Sequence, residues 1–229
     1  MKRLRAFLPL LVLIAIGIAV LASGALGHFD PRHLAQDEVA WRASVIAHPW
    51  LAALAQVGAL ALAIATAVPG AIVIVIAGGM LFGVWLGTLL STIGALCGAT
   101  LLFFASRRAF ERGGGTEPAL VARLRHGYLA HPASYTLFLR LVPLFPFGAT
   151  SVALAWLRCP LWLFLAASAF GASVMIAFES ALGAGLVETF ARGEHASLSV
   201  FAHPQILWPL LGMALLALLP IAFGRLRRH

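Results

Sequence analysis

Long apolar runs separated by short polar stretches set the organisation of the chain. The first run, Phe7 to Leu26, covers 20 residues. That length suits a helix crossing a bilayer and exceeds the roughly 7–15 apolar residues of a secretory signal. Residues 1–27 are therefore predicted to form an uncleaved first helix, although the basic MKRLR start and Ala22-Ser23-Gly24 imitate a cleavable leader. Two longer apolar regions follow, 51–105 and 128–187, and 206–223 is predicted to form a last helix. Each of the two central regions is too long for one crossing, which needs about 20 residues.

Helix-breaking residues show where the excess goes. In the first region Pro69-Gly70 interrupts the pattern, and only nine residues separate Ala71 from Gly79 before Gly78-Gly79 closes the run. Nine residues of helix span roughly 13 Å, half a bilayer core or less. The reading is a re-entrant hairpin followed by a spanning helix from about Leu81, together occupying 51–106. The second region, 128–187, repeats the arithmetic: Pro143-Leu144-Phe145-Pro146 breaks it, Ala149 to Leu157 forms a short limb, Arg158-Cys159-Pro160 turns the chain, and Leu161 to Val187 spans. Val68-Pro69 matches Val142-Pro143, and Ser91-Thr92-Ile93-Gly94-Ala95 matches Ser168-Ala169-Phe170-Gly171-Ala172. The expected fold is an all-α integral membrane protein, one domain over 1–229, built as an inverted repeat of re-entrant hairpin plus spanning helix and flanked by N- and C-terminal transmembrane helices.

Composition narrows the solvent. Of 229 residues, 62% are hydrophobic and 10% charged, against roughly 45–50% and about 25% in soluble domains, and the mean hydropathy is +0.97. Lipid must be the main solvent. The net charge of +8 falls in blocks, +3 at the start, −1 over 28–50, +3 over 106–127, −1 over 186–206 and +3 in the tail. Such alternation follows the positive-inside rule and predicts both termini and the 107–127 loop in the cytoplasm. It reports topology, not a nucleic-acid partner. Within that loop, Leu120, Leu124 and Tyr128 recur at a spacing of four after Gly113-Gly114-Gly115, the pattern of an amphipathic helix on the inner surface. Cys97 and Cys159 lack metal-ligand spacing and read as buried free thiols, and the eight histidines match no metal motif. No metal or cofactor is expected.

Two charges stand inside apolar segments. Arg140 lies three residues before Pro143, and an arginine at that depth costs about 2.5–3.5 kcal/mol even on insertion scales. It reads either as an anchor for phosphate oxygens, which the guanidinium fork matches, or as a structural group tying down carbonyls at the broken tip. Glu179 is the acidic residue of the second spanning segment. It reads either as a carboxyl that exchanges its proton during transport or as a neutral structural acid. Arg158 fits an interfacial side chain reaching to the headgroups. Gly79, Gly83, Gly87, Gly94 and Gly98 recur at small-xxx-small spacing suited to close helix packing. Tryptophans 41, 50, 85, 156, 162 and 208 sit near segment ends as interfacial anchors.

The motifs also carry a resemblance. Pro69-Gly70, Gly78-Gly79-Met80-Leu81-Phe82-Gly83, Gly87, Gly94, Gly98 and Arg107, together with Phe138-Leu139-Arg140-Leu141-Val142-Pro143-Leu144-Phe145-Pro146 and Gly171, resemble the VTT-domain family. This is the SNARE-associated Golgi protein family of the wider DedA superfamily. The resemblance covers roughly 55–187. It implies two opposed re-entrant hairpins and a role in moving lipid across the bilayer, as phospholipid scrambling or polyprenyl phosphate recycling, in some members linked to protons. It carries the family arginine onto Arg140, with Pro143 and Pro146 as the hairpin break beside it, and Glu179 joins these as a substrate-binding candidate. Val174 and Glu179 stand where relatives carry proline and tyrosine, and no acid occurs between Trp50 and Ser106.

The leading expectation is thus a non-enzymatic lipid translocator of a bacterial inner membrane, with membrane lipids and lipid phosphates as partners and homo-oligomer formation left open. A small-ion or solute transporter and a structural assembly factor are the alternatives. An intramembrane serine protease built on Gly171-Ala172-Ser173 and His203 is disfavoured, because His203 precedes the last helix instead of lying within it.

Overall fold

The computed structural model describes residues 2–23, 38–68, 70–112, 119–141 and 146–191, with Leu211 beyond them. Among these residues all regular structure is helical: α1 (Lys2–Ala22), α2 (Glu38–Ala47), α3 (Pro49–Ala65), α4 (Ala71–Arg112), α5 (Ala119–Ala130), α6 (Pro132–Leu141), α7 (Phe147–Trp156) and α8 (Leu161–Ala191). The chain is all-α as expected, and α4 and α8 are long and apolar enough to cross a membrane. The predicted helix 206–223, the Gly113-Gly114-Gly115 turn, Pro69 and Pro143 lie outside the described residues.

The short limb of the first hairpin ends later than the sequence suggested. Gly78 and Gly79 stay helical, and the interruption falls at Gly83, whose φ of 73° and ψ of −177° suit glycine and strain any residue with a Cβ. The short limb is therefore 71–82 and the long limb 84–112. The turn folds the chain back on itself. A Cβ on Gly87 would come within 2.8 Å of the Gly78 carbonyl oxygen, although nine residues of straight helix would hold the two roughly 13 Å apart. Glycine doublets mark close packing as well as breaks, and in this doublet the packing role holds. Two further departures are α2, inside a stretch read as loop, and the continuation of α8 to Ala191 past the predicted Val187.

The helices that precede each long helix end alike. After α3 the Ala67 and Val68 amides donate to the Ile64 and Ala63 carbonyls, and after α7 the Arg158 and Cys159 amides donate to those of Ala155 and Leu154. Both are Schellman closures, with Ala67 (φ 53°) and Arg158 (φ 58°) in the left-handed position that glycine usually fills.

Packing alternates between the halves. Each first limb lies on the long helix of its own half, since a Cβ on Gly94 would press on Val57 of α3 and one on Gly171 on Arg140 of α6. Each short limb lies on the long helix of the other half. Gly79 and Ile76 of the first short limb meet Ser180 and Gly183 of α8 backbone to backbone, while Gly148 of α7 approaches Leu102 of α4, and Trp156 stacks on Phe110. The two long helices meet at Phe103 and Phe164, whose ring centroids lie 4.4 Å apart at the centre of the core. Gly148 also lies against Ala67, which sets the start of α7 beside the turn that follows α3. Tyr128 of α5 is buried in the same core with Leu124 packed against it, as two positions of the expected stripe, and Val121, outside that stripe, is buried there too.

Candidate functional site

A cavity of about 240 Å³ lies where the two hairpins meet. Its walls come from α3 (Leu60, Ile64), both limbs of α4 (Ile72, Ala95), α6 (Arg140), α7 (Thr150) and α8 (Glu179). Most of the lining is apolar, and Arg140 and Glu179 are its two charged residues. The helices that begin at Ala71 and Phe147 both start at this cavity, and Ala71 and Phe147 are themselves part of its wall. Helix starts carry partial positive charge and unpaired N–H groups. Together with a guanidinium they make this end of the cavity electropositive.

Arg140 comes from the last turn of α6 and is 5% exposed. Its Nη1 donates to the Phe147 carbonyl oxygen at 3.3 Å and to Thr150 Oγ1 at 3.0 Å, and Nη2 donates to Ser151 Oγ at 3.0 Å. The guanidinium carbon sits 4.1 Å from the Phe147 ring centroid and 4.8 Å from that of Phe164. These contacts tie α6 to the first turn of α7 and fix the plane of the group. They use the end of the fork; Nε is buried without a hydrogen-bond partner. Of the two roles open in the sequence, the structural one is visible in the Phe147 carbonyl contact. The donor that would serve the other is left over.

Glu179 projects from α8 into the same cavity. Among the described residues it makes neither a hydrogen bond nor an ion pair, with Arg140 or any other group. Pro146 precedes α7 and is exposed, so it shapes the hairpin without lining the cavity. Gly70 adopts φ 118° at the first turn, and Phe82 lies half-buried before the break at Gly83. Gly78, Gly79, Gly87, Gly94, Gly98 and Gly171 lie at close helix contacts, Gly171 directly against Arg140. Cys97 and Cys159 are free thiols; Cys159 is buried, as read, and Cys97 is exposed. Ser173 donates to the Phe170 carbonyl of its own helix at 3.0 Å, and His203 lies outside the described residues.

Three supporting residues went unrecognised in the sequence. Thr150 and Ser151 aim Arg140, and their hydroxyls also donate to the Phe147 carbonyl at 2.9 and 2.8 Å. Gln56 of α3 is buried and donates from Nε2 to the Ile74 carbonyl at 3.0 Å and to Ser91 Oγ at 3.1 Å, joining α3 to both limbs of α4. A polar side chain isolated in an apolar helix was the available signal, since a buried amide there needs partners.

The VTT domain family model matches residues 68–185, just over half of the chain and the part running from the first hairpin turn through most of α8. No curated protein and no solved structure gives a significant match.

Proposed function

Because this chain belongs to the VTT-domain family, a family of membrane proteins, we propose that it moves phosphate-bearing lipids between the leaflets of a bacterial inner membrane. In this reading the two hairpins are re-entrant, entering from opposite faces, and the halves are inverted repeats. Support comes from the exchanged short limbs and from Trp85 and Trp162, exposed at the starts of the two long helices. Tryptophans at such positions suit the two opposite interfaces. Loop charges orient the multi-pass chain with both termini in the cytoplasm.

The single observation that carries the reading is the buried Arg140, which lines a cavity shared by both hairpins, beside two helix starts, with Nε unpartnered. Nε is closed to solvent in this structure, so a phosphate oxygen in the cavity meets the guanidinium by a small shift of the side chain or its neighbours, and helix N-termini reinforce its attraction. At about 240 Å³ the cavity is smaller than the roughly 300–1,000 Å³ of sites that enclose drug-sized ligands. It therefore takes a headgroup and leaves acyl or prenyl tails among the exposed apolar side chains outside. The same small volume supports a second reading, a carrier for a small anion.

The test is reconstitution into liposomes holding a trace of acyl-labelled phospholipid or labelled polyprenyl phosphate, with leaflet exchange followed by quenching from outside. Wild-type protein should accelerate exchange over protein-free liposomes, and Arg140→Ala should remove most of the acceleration. Inorganic phosphate uptake with no lipid exchange would favour the small-anion carrier instead.

A further inference from the structure

A guanidinium and a carboxyl share the cavity without pairing with each other. Three of the four Nη N–H groups of Arg140 go to Thr150, Ser151 and Phe147, and Glu179 has no partner among the described residues. Arg140 is buried and Glu179 half-buried, and a polar group held away from water is costly until something complements it. A purely anionic headgroup would satisfy Arg140 and leave the Glu179 carboxyl without a partner. A ligand carrying both signs satisfies both walls. Resting on the lipid reading above, we propose that Glu179 sets headgroup choice: it receives the ammonium of a zwitterionic phosphodiester whose phosphate sits at Arg140.

An organic ammonium fits this wall better than a metal ion. A hard divalent cation requires six or more oxygen ligands for calcium, or near-octahedral geometry for magnesium. The cavity wall offers one carboxylate and the Thr150 hydroxyl, which is occupied with Arg140. A single carboxylate is enough for an amine, which brings its own donors. The apolar remainder of the wall, including Leu60, Ile64, Ile72, Met175 and Ile176, suits the methylenes between the two charges.

The experiment uses the full chain in phosphatidylglycerol liposomes with trace phosphatidylethanolamine or trace phosphatidylglycerol, each labelled on an acyl chain so that the headgroups stay native. Wild-type protein should exchange the ethanolamine lipid roughly tenfold faster or more, the size of one charge-assisted contact. Glu179→Gln should bring the ratio of the two rates close to one, Glu179→Asp should largely retain the preference, and Glu179→Lys should reverse it. A ratio, read on protein that elutes as wild type does, separates selectivity from loss of folded protein. A wild-type ratio near one, or a preference that survives Glu179→Gln, overturns the assignment. Exchange of neither lipid overturns the translocator reading itself and the assignment with it. The same two charges occur in soluble glycerophosphoethanolamine. If that solute, and no lipid, is taken up with dependence on Glu179, the headgroup assignment stands and its lipid source falls.

Discussion

Arg140 is held in one orientation by two hydroxyls, a carbonyl and two aromatic faces, so its contribution depends on shape as well as charge. Lysine keeps the charge but has neither the planar fork nor the side edge that carries Nε. Arg140→Lys should therefore lower lipid exchange about tenfold or more, by the loss of a charge-assisted contact, while the protein accumulates and elutes normally. Full exchange activity in Arg140→Lys would leave the residue with its structural role alone. That the arginine stands inside an apolar segment was legible in the sequence. Its aiming groups were not, because Thr150 and Ser151 reach it only when α7 folds back beside α6, a contact across a turn that local periodicity does not encode.

At the scale of elements, close backbone contact between the halves depends on particular glycines. Gly183 of α8 faces the Ile76 carbonyl so closely that any side chain there must displace the short limb, whereas Gly58 of α3 has open space around it. Gly183→Leu should cost about 1–3 kcal/mol through overpacking, and Gly58→Ala should be neutral or gain about 0.5–1 kcal/mol through helix propensity. Thermal unfolding in detergent compares the two; equal behaviour would mean that α4 and α8 do not pack through this contact. The existence of broken helices was readable from Pro69-Gly70 and from the prolines around 143. The break at Gly83 was not, because a glycine that bends the chain and one that admits a neighbour look the same in sequence. The φ of 73° and the open space around it distinguish Gly83 from Gly78 and Gly79.

Across the whole molecule the two halves exchange their short limbs, so the cavity belongs to neither half alone and would be lost if they separated. The internal match of Ser91–Ala95 with Ser168–Ala172 carries the proposed repeat, and the asymmetry that matters for chemistry lay in plain view, since Arg140 and Glu179 both come from the second half. The loop charges add an orientation. Single cysteines at positions 37 and 194 should react with an impermeant maleimide added to the outer face, and one at 114 should not; labelling at 114 from outside would reverse the proposed topology. The central claim is that lipid headgroups pass through the cavity between the hairpins, and blocking that cavity tests it most directly. With Cys97 and Cys159 replaced by alanine, a cysteine at Ile72, on the cavity wall, and one at Leu89, exposed on the outside of the long limb, are each modified with a bulky thiol reagent in proteoliposomes. Modification at position 72 should stop lipid exchange while modification at 89 leaves it running; exchange that continues with position 72 fully modified would contradict passage through this cavity.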